Sequence, residues 1–157
     1  MPKKDLLLEI ARLTKILLGL QAQQELEDLR PLVKRKQAEL ISLATKAGFP
    51  IRATSGFRSA NEQNALYAQG RTKPGPIVTN AKGGQSLHNH GVAFDVCFIS
   101  KTPYDGPWEE LGKLGESIGL EWGGRWPAFV DKPHFQLMFN YTLKDFQEKK
   151  VDISKYK

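Results

Sequence analysis

Two short segments of the chain combine histidine with aspartate, two residue types that bind metal ions. The first contains His88 and Asp95, and the second contains Asp131 and His134. Two imidazoles and one carboxylate, with a fourth position left for water, form a typical ligand set for a catalytic zinc ion. The remaining carboxylate, Asp131, would suit a general base that takes a proton from metal-bound water. This combination of residue types indicates a hydrolase.

Each of these residues also has a structural interpretation. A single histidine or aspartate is more often a hydrogen-bonded polar group than a metal ligand, so the hypothesis depends on several of them coming together. The third histidine, His90, lies two residues from His88, and we expect it beside the ligands or in solvent. Cys97, two residues after Asp95, is expected to be a small buried side chain.

The two segments lead into two predicted β-strands, over residues 92–99 and 134–139, which are rich in apolar side chains. Side chains on a strand alternate between its two faces. Asp95 therefore shares a face with the small Ala93, and His134 lies on the face opposite the apolar residues of its own strand. If the two strands pair, Asp95 and His134 converge, and Ala93 leaves space for a metal ion and a substrate.

Other elements must position these strands. Apolar residues at helical spacing predict an amphipathic helix over residues 4–24 and a second helix over residues 27–46. Gly48 and Pro50 end the second helix. The remaining predicted elements are a strand over 51–55, helices over 60–69 and 108–118, a loop rich in Gly, Pro, Asn and Lys over 71–84, and a polar, basic tail from Leu143 that frays after one or two helical turns.

Length, charge and cysteine content limit the possible classes of protein. The chain has 157 residues, a net charge of +6 and one cysteine, which indicates one domain with its own core and no intramolecular disulfide. Charged residues interrupt the apolar N-terminus, so it predicts neither a signal peptide nor a transmembrane span. We therefore expect synthesis in the cytoplasm. The positive charge is compatible with nucleic acid, an anionic membrane or an anionic cell wall, and charge alone does not choose among them.

Several motifs together resemble a known family. The central one is Ser86-x-His88-x-x-Gly91-x-Ala93-x-Asp95, with Pro133-His134-Phe135 downstream. These residues resemble the zinc D-Ala-D-Ala carboxypeptidase and L-alanyl-D-glutamate peptidase family. Three further stretches are similar to its endolysin-like branch: Ser55-Gly56-Phe57-Arg58-Ser59 with Gln63, Leu66 to Gly75, and Trp122-Gly123-Gly124 followed by Trp126.

The resemblance implies an α+β fold, with a small antiparallel sheet that carries the zinc site and is flanked by helices. It spans about residues 29–137, which places a catalytic domain at 27–142. Residues 1–26 lie outside the resemblance and would be an additional amphipathic helix. Its apolar stripe favours packing or contact between copies of the chain over weak anchoring at a membrane surface. Residues 143–157 would be the basic tail.

The resemblance also implies roles for individual residues. One zinc ion would be held by His88, Asp95 and His134. Asp131 would be the catalytic base, and Arg58 would bind substrate and stabilise the developing oxyanion, a task that suits its fixed fork of donors. Gln63 and Ser86 would line the substrate site. His90 departs from the family pattern, in which a tyrosine is common at this position.

The function that this implies is a zinc-dependent endopeptidase that cuts the stem peptide of peptidoglycan between L-Ala and D-Glu. A protein of this kind without an export signal would reach the wall after release by a holin or by another route. The same metal chemistry would also serve a D-Ala-D-Ala carboxypeptidase or dipeptidase. The long loop over residues 71–84 favours the endopeptidase.

Two other classes of protein are less compatible with the sequence. A serine peptidase of the penicillin-binding type needs Ser-x-x-Lys at a helix start and a Lys-Thr-Gly element. The chain has Ser-x-x-Lys only at residues 154–157 and lacks Lys-Thr-Gly. A basic module that binds wall polymer or nucleic acid without catalysis would need clustered positive charge. Here the charges are spread, apart from residues 34–36, so no nucleic-acid partner is expected.

Overall fold

The computed structural model describes residues 6–14 and 28–156. Residues 6–14 form helix α1, and its apolar side chains are exposed: Leu6, Leu7, Leu8, Ile10 and Leu13. The rest of the helix predicted over residues 4–24 lies outside the described residues. Within the described ranges, no helix combines the length and the apolar character that crossing a membrane requires.

Helix α2 spans Pro31–Lys46 and buries Val33, Leu40 and Ala44. It begins four residues later than the sequence prediction. Arg30 is extended, with ψ of 145°, because the residue before a proline is sterically disfavoured in helical geometry. Proline at the first helical position is favourable, so the helix starts at Pro31.

Four strands form one antiparallel sheet in the order β1-β2-β4-β3. The strands are β1 (Ile51–Ser55), β2 (Ala93–Phe98), β3 (Glu121–Trp122) and β4 (His134–Gln136). Helix α3 (Ala60–Ala68) follows β1, and helix α4 (Trp108–Ser117) follows β2. The α+β class and the antiparallel sheet predicted from the sequence are therefore confirmed.

The core lies between the sheet and the helices. Phe94 of β2 stacks on Phe135 of β4 with 5.9 Å between ring centroids, and both side chains are fully buried. Helix α4 approaches this pair very closely, since a Cβ atom on Gly115 would lie 2.4 Å from the Phe135 ring. The apolar side chains of β2 and β4 thus anchor the sheet and leave its other face for the site.

The C-terminal part of the chain differs from the prediction. Strand β4 ends at Gln136 rather than at residue 139, because the chain turns at Phe139 and Asn140, which have positive φ angles of 54° and 62°. Helix α5 (Leu143–Gln147) follows and buries Phe146. Residues beyond this helix also pack against the core: Val151, Ile153 and Tyr156. The prediction of a fraying tail is therefore wrong, because these apolar side chains hold the segment on the domain.

Candidate active site and metal centre

The sheet and one short turn bring three candidate ligands together. Asp95 of β2 lies directly opposite His134 of β4 in the antiparallel register. His88 belongs to a 3-10 turn, Leu87–His90, that leads into β2. One potential ligand atom from each residue lies within 4.8 Å of the others. The convergence that strand pairing predicted from the sequence is thus observed.

Hydrogen bonds orient both imidazole rings toward Asp95. Nδ1 of His88 lies 2.8 Å from the carbonyl oxygen of Gly56, to which it can only donate. Nε2 of His88 therefore carries the lone pair, and it lies 3.4 Å from Oδ2 of Asp95. In His134 the other ring nitrogen faces Asp95. Its Nδ1 lies 3.2 Å from Oδ1 of Asp95, and its Nε2 lies 2.9 Å from Oε1 of Gln136.

Glu121 fixes the direction of this second set of hydrogen bonds. Nε2 of Gln136 donates to Oε2 of Glu121 over 2.8 Å. An ionised carboxylate only accepts hydrogen bonds, so the Gln136 amide must turn its NH₂ group toward Glu121 and its oxygen toward His134. His134 must then donate from Nε2, and its Nδ1 keeps the lone pair. A carboxylate on β3 thereby sets the tautomer of a candidate ligand on β4.

The three residues fit a divalent metal ion such as zinc. Oδ1 of Asp95 is buried and makes no hydrogen bond within the described part of the chain, which is costly unless another group satisfies it. Burial alone would raise the pKa of Asp95, but in the metal-free protein hydrogen bonds and charge from His134 and His88 outweigh burial and hold the pKa well below its usual range. When the two imidazoles are neutral, their lone pairs and the Asp95 carboxylate form a suitable donor set for zinc.

Asp131 stands at the edge of the same site, on the segment that leads into β4. Its backbone N–H donates to the carbonyl oxygen of Gly123 over 3.1 Å, and the N–H of His134 donates to the Asp131 carbonyl oxygen over 3.2 Å. The segment packs so closely that a Cβ atom on Gly123 would lie 2.4 Å from that carbonyl oxygen. Nε1 of Trp122 also holds the segment, by donating to the carbonyl oxygen of Lys132 over 2.7 Å.

The environment of Asp131 suits a base. Burial is the largest influence and raises the pKa of the Asp131 carboxyl group, an effect that the negative charge of Asp95 reinforces. The positive charges of His134 and His88 act in the opposite direction without cancelling this rise. A carboxylate with a raised pKa accepts protons more readily than an exposed one.

Arg58 also lines the cleft, and other side chains hold its guanidinium group. Nη1 donates to Oε1 of Gln63 over 2.9 Å, and Nη2 donates to Oγ of Ser55 over 3.0 Å. Since a guanidinium has five N–H donors, donors remain available for a substrate. The sequence prediction placed Gln63 on the lining of the site, but its side chain is fully buried behind Arg58. Gln63 therefore positions Arg58 instead of contacting substrate.

Ser86 lines the cleft and also shapes the turn that carries His88. Its Oγ accepts a hydrogen bond from the N–H of His88 over 3.3 Å. Asn89 completes the turn, since its Oδ1 accepts from the N–H of Ser86 over 3.2 Å and its Nδ2 donates to the carbonyl oxygen of Arg58 over 2.8 Å. His90 is not one of the three clustered residues, and its Nε2 lies 2.9 Å from the carbonyl oxygen of Gly84.

The cleft around these residues has a volume of about 570 Å³. Trp126 forms part of its wall, with its ring centroid 5.1 Å from that of His134. Part of the loop over residues 71–84 forms another wall, through Val78, Thr79 and Ala81. Arg71 holds this loop by donating to the carbonyl oxygen of Thr79 over 3.0 Å. The metal site, the candidate base and Arg58 thus open into one cavity.

Comparison with known proteins agrees with this geometry. Residues 79–137 match the D-alanyl-D-alanine carboxypeptidase family. The chain is 41% identical over 126 residues to the peptidoglycan L-alanyl-D-glutamate endopeptidase CwlK of Bacillus subtilis strain 168, covering 72% of this chain and 75% of that protein.

Two solved structures show the same fold. One is the LD-carboxypeptidase LdcB, with a TM-score of 0.55, 25% identity and coverage of 82% of this chain and 75% of that one. The other is the vancomycin-resistance D,D-pentapeptidase VanY in complex with Zn(II), with a TM-score of 0.54, 15% identity and coverage of 85% and 87%. The site and the similarity to CwlK lead to one conclusion: the chain belongs to the D-alanyl-D-alanine carboxypeptidase and L-alanyl-D-glutamate peptidase family, whose members act on peptidoglycan.

Proposed function

We propose that the protein is a zinc-dependent peptidoglycan hydrolase that cleaves the stem peptide between L-Ala and D-Glu. The observation that carries this proposal is the convergence of His88, Asp95 and His134 in a cleft that also contains Asp131 and Arg58. The similarity to an L-alanyl-D-glutamate endopeptidase supports the choice of bond.

In the proposed site, His88, Asp95 and His134 would hold the zinc ion. When bound, zinc would polarise the substrate carbonyl group and lower the pKa of bound water to about 7. Asp131 would take a proton from the attacking water and return it to the leaving amine. In the metal-free protein, burial raises the pKa of Asp131, and a carboxylate with a higher proton affinity is a stronger base for the first transfer.

Arg58 would bind and orient the substrate. The acidic stem peptide offers carboxylates next to the bond that is cut, and a guanidinium pairs with a carboxylate through two parallel hydrogen bonds. Ser55 and Gln63 hold the guanidinium from behind, so little side-chain freedom remains to be lost on binding. Negative charge that develops on the scissile carbonyl oxygen would also be stabilised by a fixed cation nearby.

A second candidate function is removal of a terminal D-alanine by the same chemistry. The family match over residues 79–137 and the fold shared with an LD-carboxypeptidase favour it. The two candidates differ in the bond that is cut.

Mass spectrometry of purified peptidoglycan fragments tests both functions. The fragments are digested with the zinc-loaded protein and with protein stripped by a chelator. New termini at L-Ala and D-Glu that vanish with the metal are expected. Loss of a terminal D-Ala would indicate the carboxypeptidase, and the absence of any metal-dependent cleavage would contradict both proposals.

A further inference from the structure

A second cavity adjoins the active-site cleft and shares a wall with it. It lies between the end of β1 and helix α3 and has a volume of about 570 Å³. Arg58 and Leu66 line both cavities. Phe57, Glu62 and Ala65 are among the residues that line the second cavity and not the active-site cleft. A substrate that reaches past Arg58 from the metal site therefore enters this second space.

One carboxylate marks the second cavity. Glu62 lies at the third position of helix α3 and forms a capping box with Ser59: Oε2 accepts from the Ser59 N–H over 2.8 Å, and the Glu62 N–H donates to the Ser59 Oγ over 3.1 Å. This cap fixes the direction of the side chain. Among the ion pairs of residues 6–14 and 28–156, none involves Glu62.

The two charged groups of this region differ in the cavities that they line. Arg58 lines both cavities, whereas Glu62 lines the second cavity and not the active-site cleft. Arg58 and Glu62 are not paired with each other. Each can thus meet a charge of the opposite sign on a ligand. A ligand that spans both cavities could therefore place an anionic group against Arg58 and a cationic group against Glu62.

The stem peptide on the D-Glu side of the proposed cleavage point carries charges in this order. D-Glu is joined to the next residue through its γ-carboxyl group, so its α-carboxylate stays free beside the bond that is cut. The next residue is a diamino acid, which carries an ammonium group on its side chain. With the α-carboxylate on Arg58, the diamino acid would extend into the second cavity.

We propose that the second cavity is the subsite for this diamino acid and that Glu62 recognises its side-chain ammonium group. The inference rests on the proposed function, because it assumes cleavage between L-Ala and D-Glu. Glu62 is then a specificity-determining residue that takes no part in the chemical step.

Two synthetic peptides and two variants test this subsite. The peptides are L-Ala-γ-D-Glu-L-Lys-D-Ala and the same peptide with norleucine, which lacks the ammonium group, in place of lysine. In Glu62→Gln the charge is removed while the capping box is kept, because glutamine also fits that position. Glu110→Gln is the matched control, since Glu110 is an exposed acidic residue in the first turn of α4 and lines neither cavity.

The zinc-loaded wild-type protein should cleave the lysine peptide about 1.5- to fivefold faster in kcat/KM than the norleucine peptide, the range for an ion pair at an exposed carboxylate. The preference should shrink as salt is added. Glu62→Gln should abolish it, and Glu110→Gln should retain it. Circular dichroism on heating checks that both variants fold as the wild type does.

The outcomes separate this inference from the proposed function. Equal cleavage of both peptides at L-Ala and D-Glu by the wild type would overturn the subsite and leave the proposed function intact. The same holds if the preference for lysine persists in Glu62→Gln. If the wild type cleaves neither peptide at this bond, the proposed function fails and the subsite fails with it.

Discussion

The zinc affinity of the site should depend on Gln136, which does not bind the metal. The side chain is buried and accepts a hydrogen bond over 2.9 Å from Nε2 of His134. Gln136→Met keeps a side chain of similar length and removes the acceptor. His134 would then lose the group that fixes its ring orientation and its tautomer, and Nδ1 would no longer be held toward Asp95.

The size of this effect can be estimated in two ways. A hydrogen bond to a charged or strongly polarised buried group contributes about 1.5–3 kcal/mol, and each 1.4 kcal/mol corresponds to about a tenfold change in affinity. Independently, loss of a hydrogen-bond partner of a metal-binding histidine typically costs about 10- to 100-fold in metal affinity. Both estimates lead us to expect zinc binding about 10- to 100-fold weaker in Gln136→Met.

Competition with a chromophoric chelator measures this affinity directly. The cobalt-loaded protein adds a structural readout, because proton NMR resolves exchangeable ring N–H signals of histidines next to cobalt. The His134 signal should exchange faster with solvent in Gln136→Met. The His88 signal should not change, since its ring N–H is held by the carbonyl oxygen of Gly56, and it serves as the internal control.

Variants of Glu121 test whether the carboxylate acts through Gln136. Glu121 lies directly opposite Gln136 in the sheet. Glu121→Gln keeps an acceptor for the Gln136 amide, so zinc affinity should stay within about twofold. Glu121→Ala leaves the amide free to turn, and affinity should fall by about three- to tenfold, consistent with one neutral hydrogen bond. Zinc affinity within twofold of wild type in a folded Gln136→Met protein would refute this reasoning.

Four other outcomes are expected. Asp131→Asn should retain zinc while kcat falls by about 100- to 10,000-fold, the range for loss of a general base, whereas His134→Ala should lose both zinc binding and activity; normal peptidoglycan hydrolysis by Asp131→Asn would show that the base is wrongly assigned. Gly123→Ala should lower kcat in a folded protein, because the added Cβ atom would lie 2.4 Å from the Asp131 carbonyl oxygen, and unchanged kinetics would contradict this packing argument. Without zinc, burial lowers the pKa of His134, but Asp95 outweighs burial and the pKa is raised. Protonation of His134 therefore stabilises the fold fully below about pH 6.5, and this contribution is lost as pH rises through the raised pKa. The lowered pKa of Asp95 contributes to the stability of the fold above about pH 4, and this contribution is lost as pH falls. Because the His134 contribution is present at about pH 5.5 and lost at about pH 8, zinc should raise the unfolding temperature more at about pH 8 than at about pH 5.5. An equal rise would contradict the assignment. Deletion of residues 1–24 should leave zinc affinity unchanged, because the described part of this segment lies outside the core, and a folded truncated protein that cannot bind zinc would refute the domain boundary.

The convergence of the three candidate ligands could be predicted from the sequence because these residues lie on or beside elements with strong local patterns. Alternation along β2 separates Asp95 from the apolar Phe94, and β4 shows the same alternation between His134 and Phe135. The sequence also indicates the register of β4. A slip by one residue would turn His134 away from Asp95 and bury the His134 side chain among aromatic rings.

The hydrogen-bond partners of the ligands could not be predicted in this way. Glu121 belongs to a strand of two residues, too short for any periodicity to show, and its pairing with Gln136 depends on how α4 returns the chain to the sheet. Gln63 shows a different limit. The sequence predicts the helix over residues 60–69 that carries Gln63, but the burial of the Gln63 amide depends on the loop at Ala81, whose carbonyl oxygen accepts from Nε2 over 2.9 Å.

We expect the choice of bond to depend on the walls of the cleft and not on the candidate metal site. LdcB and VanY share this fold at TM-scores of 0.55 and 0.54, yet they are named for different peptidase activities. In the present protein the candidate ligands lie on β2, β4 and the turn before β2, which are tied into the sheet and its core. The residues that line the rest of the cleft come mainly from the loop over residues 71–84 and from the ends of β1 and α3. Because loops of this kind change more readily than a packed sheet, one metal centre can serve several bonds, and the second cavity beyond Arg58 is where a preference for the L-Ala–D-Glu bond would be built.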